Sequence, residues 1–245
     1  MAERIIAIVP IRGSDEEFRD TPDPLLGGRS LLEYTLSAAQ DARRVDRVIV
    51  STDGQTVADV CRSYGADVPF LRPPHLSAPK ASVTDVLRHC VEWLRTTEGY
   101  DAEWVVKLEI THPFRPRGLI DLVIDTALAQ RVDSAFVAYP EIHSYWTLDE
   151  AGRPREAGET IDVPRKVRRP FFRDTSGLVA ITRAENLLAG RFYGQNIGLI
   201  PLQDLFAMVD THEGAGAGYR ERIGFRLAEL LAAEYHRQMQ RELTA

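Results

Sequence analysis

Short apolar runs alternate with amphipathic stretches along most of this chain. Residues 4–10, 47–51 and 103–108 are nearly continuous apolar runs bounded by polar segments. Such runs are typical of strands buried on both faces of a sheet. Between them, residues 30–42, 55–64 and 82–97 place apolar side chains at helical spacing. This order predicts a parallel sheet with helices on both faces.

The second half continues this pattern with one interruption. We predict a helix over 118–129, strands over 133–139, 177–183 and 197–201, and a long helix from Gly218. Residues 140–175 are instead rich in Pro, Arg and aromatic side chains with little periodicity, so we interpret them as an excursion from one domain spanning 1–245. Residues 11–29 form a long loop rich in Asp, Pro and Gly, and loops of this length are often functional.

Composition and charge exclude several classes of protein. The chain has 245 residues, of which 44% are hydrophobic, and a net charge of −6, so no overall positive field would attract nucleic acid. Its apolar runs are shorter than the roughly 18 residues that a membrane span needs. The two cysteines lie in helical patterns and the N-terminus lacks a signal-peptide pattern, so we expect a cytoplasmic protein without disulfides or membrane association.

The loop after the first predicted strand carries candidate chemistry. Arg12, Gly13 and Ser14 follow Pro10, where the strand ends. A guanidinium and free backbone N–H groups at such a position can bind a phosphate. The second strand ends comparably in Ser51-Thr52-Asp53, so the two loops together predict a protein that handles nucleotides.

Several segments identify a family more specifically. In chain order they are Ile8–Gly13, Val48–Asp53, Tyr64–Pro73, Lys80–Ser82, Thr111–Arg115 and Val209–Thr211. With them the chain resembles the CMP-sugar-acid synthetases, cytidylyltransferases of the nucleotide-diphospho-sugar transferase fold. The resemblance implies a three-layer α/β/α core, transfer of CMP from CTP to an acidic acceptor with release of pyrophosphate, and Mg²⁺. It also implies a homodimer in which the excursion covers the partner's active site.

The resemblance assigns roles to individual residues. Arg12 would contact the phosphates, assisted by Gly13 and Ser14. Base-reading positions of the family correspond to Arg72, Ala81, Ser82 and Glu109. The family usually has Gln where this chain has Glu109, and a carboxylate accepts hydrogen bonds but donates none.

Asp210 matches the second Asp of the family's Asp-x-Asp-Thr segment, which binds Mg²⁺, while Met208 stands at the first. Mg²⁺ is often held by one or two carboxylates together with phosphate oxygens and water. We expect Asp210 to bind the metal or to act as a base that orients the acceptor. Alternatively, Asp-Thr-x-Glu is a helix-capping signal.

The long loop departs from the family, which carries two lysines there. Counted without gaps, Glu16 and Thr21 stand at those positions, within an acidic run, Asp15–Glu17, that would repel a triphosphate if it faced the site. We expect Arg19 to replace the missing cations, with Arg29 as an alternative.

The acceptor side departs as well. Ser176 replaces an Asn that contacts sialic-acid-like acceptors in the family. His112 follows a predicted strand end, and we expect it either near the acceptor or in a surface loop. A cluster of cations precedes it, comprising Arg165, Lys166, Arg168, Arg169 and Arg173. This pattern leaves open a keto-acid sugar or a phosphonate as acceptor. The altered loop and the single Asp also leave open a nucleotide-binding homologue without catalytic activity.

Overall fold

The computed structural model describes residues 3–18, 20–158, 163–214 and 218–244. Within these ranges, six helices and eleven strands follow in chain order. The strands are β1 Ile5–Ile11, β2 Leu25–Leu26, β3 Arg29–Ser30, β4 Arg47–Thr52, β5 Trp104–Lys107, β6 Ser134–Glu141, β7 Tyr145–Leu148, β8 Pro154–Ala157, β9 Phe171–Asp174, β10 Ala180–Arg183 and β11 Ile197–Pro201. The helices are α1 Leu31–Gln40, α2 Gln55–Ser63, α3 Val83–Trp93, α4 Leu119–Gln130, α5 Ala184–Leu188 and α6 Ile223–Thr244.

Seven strands form the central sheet in the order β11-β6-β10-β5-β1-β4, with β9 also paired to β6. β1 is parallel to both β4 and β5, whereas β10 is antiparallel to its neighbours β5 and β6. The fold is therefore α/β with a mostly parallel sheet, as predicted. The antiparallel direction of β10 brings its N-terminal end to the edge where β1, β4 and β5 end.

Side chains along β1 alternate between two cores, one on each face of the sheet. Ile5, Ala7 and Val9 pack on the face covered by α1, α2, α4 and α6. Ile6 and Ile8 pack on the other face, with residues of α3 and α5. Because successive side chains of a strand point to opposite faces, a strand with a helix layer on both sides is apolar throughout. The prediction of helices on both faces is confirmed.

The predicted excursion is partly continuous with the main sheet. β6 extends to Glu141, and β9 pairs with its final residues from Ala138 to Glu141. Between them, β7 and β8 form a separate two-stranded antiparallel hairpin. Residues 142–170 thus leave the sheet from the end of one strand and return beside it.

Among the described residues, no helix combines the length and apolar character needed to cross a bilayer. The two cysteines, Cys61 and Cys90, are free and buried.

Candidate active site

A cleft of about 240 Å³ opens at the edge where β1, β4 and β5 end. Its walls come from the end of β1 and the loop that follows it, from the segment between α2 and α3, from the start of α3, and from the loops after β5 and before α6. In open α/β sheets, ligands bind at the carboxyl ends of the strands. Four residues assigned by the resemblance line it: Arg12, Arg72, Ala81 and Glu109.

Arg12 faces the cleft directly after β1. Its guanidinium lies 3.6 Å from the carboxylate of Asp15, and its buried Nε has no hydrogen-bond partner among the described residues. A buried donor without a partner is destabilising, and a ligand oxygen can satisfy it. Arg12 is therefore placed to bind an anion in the cleft.

Gly13 allows two backbone segments to pack closely at the rim of the cleft. Its N–H donates to Asp53 Oδ1 over 2.8 Å, and a Cβ on Gly13 would lie 2.9 Å from the Cα of Gly54. This close approach explains why a residue without a side chain stands here. The Gly13 N–H is already bonded within the protein, whereas Ser14 is exposed beside it.

Arg72 forms an inner wall of the cleft. It donates to the carbonyl of Ile11 over 2.9 Å and to Ser77 Oγ over 3.1 Å, and it lies 3.8 Å from Asp53. Burial lowers the pKa of Arg72, an effect that Asp53 partly opposes. These contacts fix the guanidinium before any ligand arrives.

Ser82 caps the helix that borders the cleft. Its hydroxyl accepts from the Asp85 N–H over 3.1 Å and donates to Asp85 Oδ2 over 2.7 Å. Ser and Thr are favoured at N-caps because they satisfy the free N–H groups of the first turn. Ala81 lines the cleft one residue earlier.

Three residues that the sequence did not single out as binding residues also line the cleft: Asp15, Glu17 and His212. Glu17 is almost fully buried and lies 3.2 Å from His212 Nε2. Burial alone would lower the pKa of His212, but the hydrogen bond and charge of Glu17 outweigh it and raise that pKa. Burial, followed by the charge of Glu17, raises the pKa of Asp15. Two carboxylates of the acidic loop therefore face the cleft, each beside a basic side chain.

Glu109 pairs with Lys107, the last residue of β5. Lys107 Nζ lies 2.6 Å from Glu109 Oε1 and 3.4 Å from Ser176 Oγ. Burial would raise the pKa of Glu109, but the charge and hydrogen bond of Lys107 outweigh it and lower that pKa. Glu109 therefore remains a carboxylate that only accepts hydrogen bonds, and Ser176 is brought to the same strand end.

His112 lies buried behind this strand end. A Cβ on Gly177 would overlap its ring, so the start of the segment leading into β10 passes directly over the imidazole. Burial lowers the pKa of His112 to about 4, although the charges of Asp210 and Glu109 oppose the change. At neutral pH this side chain is an uncharged imidazole.

Asp210 occupies the loop before α6. The adjacent Thr211 donates its N–H to the carbonyl of Thr111, a cleft residue, over 2.8 Å. Asp210 Oδ1 accepts from the His212 N–H over 2.9 Å, which is the geometry of an Asx turn. Its backbone carbonyl lies so close to Gly224 that no Cβ fits there, so the start of α6 fixes this loop. Within the described ranges, no group of three or more His, Cys, Asp or Glu side chains is placed to hold a metal.

The predicted acceptor cations are not all gathered at the site. Arg173 lies 3.2 Å from Glu141 and 3.5 Å from Glu213, three residues after Asp210. Arg168 instead donates to the Val163 carbonyl over 2.6 Å. The remaining cations of this run are exposed on the excursion, namely Arg165, Lys166 and Arg169. Arg19, predicted to replace the missing lysines, lies outside the described residues.

Sequence reasoning missed Lys107, whose signal was local, and the Glu17–His212 contact, whose signal was not. Lys107 occupies a strand-end position next to Glu109 and could have been found from the period of two along β5. The contact of Glu17 with His212 joins residues 195 apart, which no spacing pattern reveals.

The fold and cleft define a nucleotidyltransferase-like α/β protein. Solved structures support this class at the level of fold alone. The structure of CMP:2-keto-3-deoxy-manno-octonic acid synthetase complexed with CTP matches 95% of this chain and 100% of its own, with a TM-score of 0.64 and 13% identity. The 4-diphosphocytidyl-2C-methyl-D-erythritol synthase of Anaerococcus prevotii gives a TM-score of 0.63 over 95% of this chain and all of its own, with 11% identity.

Sequence comparison identifies the family. A family model described as Cytidylyltransferase matches residues 6–175, and the chain belongs to this family. The N-acylneuraminate cytidylyltransferase of Escherichia coli is 34% identical over 47% of this chain and 26% of its own length. The CMP-N,N'-diacetyllegionaminic acid synthase of Legionella pneumophila is 32% identical over 46% of this chain and 48% of its own. The chain thus spans a quarter to half of the length of these relatives. The family resemblance predicted from the motifs is confirmed.

Proposed function

We propose that this chain transfers CMP from CTP to the hydroxyl of a sugar acid and releases pyrophosphate. The single observation that carries the proposal is Arg12, whose buried Nε lacks a partner among the described residues and which faces the same cleft as Arg72, Ala81 and Glu109. Membership of the cytidylyltransferase family and relatives named for sialic-type acids support the same reaction.

The cleft would hold CTP with a fixed base pocket and an adaptable phosphate end. Arg72 is preorganised by its internal hydrogen bonds, so binding orders little there. The Nε donor of Arg12 has no partner among the described residues and would donate to a phosphate oxygen. Arg19 would add the cation that the loop otherwise lacks. Glu109 would accept from a donor group of the substrate, such as the N4 amino group of cytosine.

Asp210 would be the protein ligand of one Mg²⁺ ion. Its Oδ1 accepts a backbone N–H, and its other carboxylate oxygen makes no hydrogen bond among the described residues. A single carboxylate together with triphosphate oxygens and water is a usual environment for Mg²⁺. When bound, the ion would neutralise charge on the triphosphate.

The acceptor would lie between the end of β5 and the excursion. Ser176 would contact it beside the Lys107–Glu109 pair. His112 would act there as a neutral hydrogen-bonding group, since its pKa lies near 4. Arg173 would face its anionic group, and the approach would be lined by Arg165, Lys166 and Arg168. The chain's part in the chemistry is to hold the acceptor oxygen in line with the α-phosphorus and to offset anionic charge.

A pyrophosphate-release assay tests the proposal. Purified protein is incubated with CTP, Mg²⁺ and separate acceptors: sialic acid, eight-carbon keto-acid sugars and phosphonoformate, with ATP, GTP and UTP as controls. We expect release with CTP and a sugar acid, at least about 100-fold slower in Asp210→Asn and unchanged in Asp59→Asn on the exposed face of α2. Pyrophosphate release with phosphonoformate and with no sugar acid would show that the acceptor is a phosphonate. CTP that raises the melting temperature without any turnover would support a binding protein instead.

A further inference from the structure

A second and larger cavity lies on the helical side of the molecule. It has a volume of about 650 Å³, against about 240 Å³ for the cleft, and the two share no lining residue. Its walls are α1, the segment from Arg115 to Asp121, and α6. We call it the helix-face cavity. Nothing in the proposed transfer of CMP requires it.

Cations dominate the rim of the helix-face cavity. Arg43 is exposed over 89% of its side chain and lies 3.6 Å from the carboxylate of Asp121. Arg117 is exposed and makes no ion pair among the described residues. Arg29 completes the rim, with its guanidinium 3.2 Å from the carboxylate of Glu33. In a chain of net charge −6, three arginines around one opening form a local positive field.

The two carboxylates that line this cavity offset only part of that charge. Asp121 is mostly buried and accepts the backbone N–H groups of Arg43 and Arg44, over 3.1 and 2.9 Å. These bonds fix Asp121 on the wall, where its charge balances that of Arg43. Asp41 is exposed beside the end of α1. With Arg115 included, four arginines face two aspartates, so the lining carries a formal net charge of +2.

The lining also includes aromatic and apolar side chains. Tyr34 and Tyr235 form one side, with ring centres 6.2 Å apart, and Met239 with Ala38 and Leu119 forms much of the rest. Tyrosine and methionine surfaces favour a flat or apolar body, since they offer large contact area without requiring many hydrogen bonds. The lining therefore combines an anion-binding rim with a hydrophobic interior, which is typical of small-molecule sites.

We propose that the helix-face cavity is a second ligand site, which binds a small organic anion with one phosphate or carboxylate group and an apolar or aromatic body. The anion sits between Arg43 and Arg117, and the body packs against Tyr34, Tyr235 and Met239. The N-terminus of α4 also favours an anion, because the positive end of its helix dipole lies there. Gly118 at the N-cap has no side chain to cap the N–H groups of the first turn.

A titration with phenyl phosphate tests the site. Calorimetry measures its binding to the full chain, with inorganic phosphate and phenol as the two half-ligands. We expect phenyl phosphate to bind saturably, and inorganic phosphate and phenol each to bind with a dissociation constant above about 1 mM. The affinity for phenyl phosphate should fall about tenfold in Arg117→Ala and in Arg43→Ala. Arg153→Ala, on the β7–β8 hairpin, serves as the matched charge control and keeps the affinity. Benzoate in place of phenyl phosphate distinguishes a preference for phosphate from one for carboxylate.

Two further variants distinguish binding in the helix-face cavity from binding elsewhere on the chain. Met239→Trp fills the interior without altering the charge and is expected to abolish phenyl phosphate binding. Arg12→Ala, in the cleft, is expected to leave it unchanged. Loss in Arg12→Ala would place the probe in the cleft and overturn the proposal. Equal binding of inorganic phosphate and phenyl phosphate, or no binding of phenyl phosphate up to about 10 mM, would overturn it as well.

Discussion

Arg115 is a buried cation that makes four hydrogen bonds to other residues of the chain. It donates to the carbonyls of Leu178, Gly177 and Glu109 over 2.7, 2.9 and 2.5 Å, and to Thr35 Oγ1 over 2.8 Å. It thereby ties the strand end that carries Glu109 to the segment before β10 and to α1. The positions of Glu109 and Gly177 in the site depend on this one side chain.

Replacing Arg115 by Met should therefore destabilise the fold. Four buried hydrogen bonds from a charged group would be lost, and the Leu178 carbonyl would keep no donor among the described residues. Leaving a buried polar group unsatisfied costs about 1–3 kcal/mol, and each lost bond adds to this. We expect Arg115→Met to lower the free energy of unfolding by about 3 kcal/mol or more, measured by urea denaturation. Arg117→Met, two residues away and exposed, should change it by less than about 0.5 kcal/mol. Equal effects of the two substitutions would contradict the role of Arg115.

The two thiols should be inert in the folded protein. Burial raises the pKa of both Cys61 and Cys90 to about 12, so neither forms the reactive thiolate near neutral pH. We expect a disulfide-exchange reagent at pH 8 to label less than about a tenth of the thiols in an hour. In concentrated urea both thiols should react within minutes. Rapid labelling of one thiol without denaturant would show that its helix opens locally.

Among the elements, those with strong local periodicity were predicted well. β1, β4, β5 and α1 lie within about two residues of their predicted bounds, and Ser30 caps α1 by accepting from Glu33 N. Their apolar runs and caps are local signals. The family motifs likewise placed Arg12 and Arg72 in one cleft.

The remaining elements depend on distant partners. Nothing local in Phe171–Asp174 reveals that it pairs with the end of β6, or that β10 runs antiparallel between parallel strands. The helix predicted over 82–97 ends earlier, at Trp93, and a wider turn continues to Gly99, whose φ of +65° ends it. Site pairs such as Glu17–His212 escaped prediction for the same reason.

Substitutions at Ser82 distinguish a role in capping α3 from a role in binding the nucleotide. Ser82→Ala removes the cap and should lower the free energy of unfolding by about 1 kcal/mol. Ser82→Asn keeps a capping oxygen, so stability should stay within about 0.5 kcal/mol of the parent. If the hydroxyl also contacts the base, the KM for CTP rises in both variants. An unchanged KM in Ser82→Asn would restrict Ser82 to the capping role.

At the scale of the whole molecule, the excursion carries apolar side chains that are exposed to solvent in the monomer. Trp146 is 58% exposed, Leu148 67% and Val167 70%. Large exposed apolar side chains grouped on one segment favour an interface. They support the homodimer that the family resemblance implies.

Light scattering coupled to gel filtration measures this directly. We expect the parent chain to elute as a dimer of 27.5 kDa protomers and Trp146→Glu with Leu148→Glu to elute as a monomer. Leu230→Glu, on α6, is the control because Leu230 is 81% exposed but lies outside the excursion. A monomeric parent chain would rule out the dimer. A monomeric Leu230→Glu variant would show that the interface includes α6.

The pairing of β9 with the end of β6 has a consequence for how acceptor preference can change. Residues 142–170 leave the sheet at Glu141 and rejoin it at Phe171, and these two residues are paired neighbours on adjacent strands. The intervening stretch can therefore be exchanged as a cassette between relatives without altering the spacing of its two anchor points. The loops that hold Arg12 and Arg72 lie outside the cassette. Under the proposed function, we expect a graft from a relative to alter acceptor preference through the approach cations Arg165, Lys166 and Arg168, while Arg173, Ser176 and the nucleotide affinity stay with the recipient.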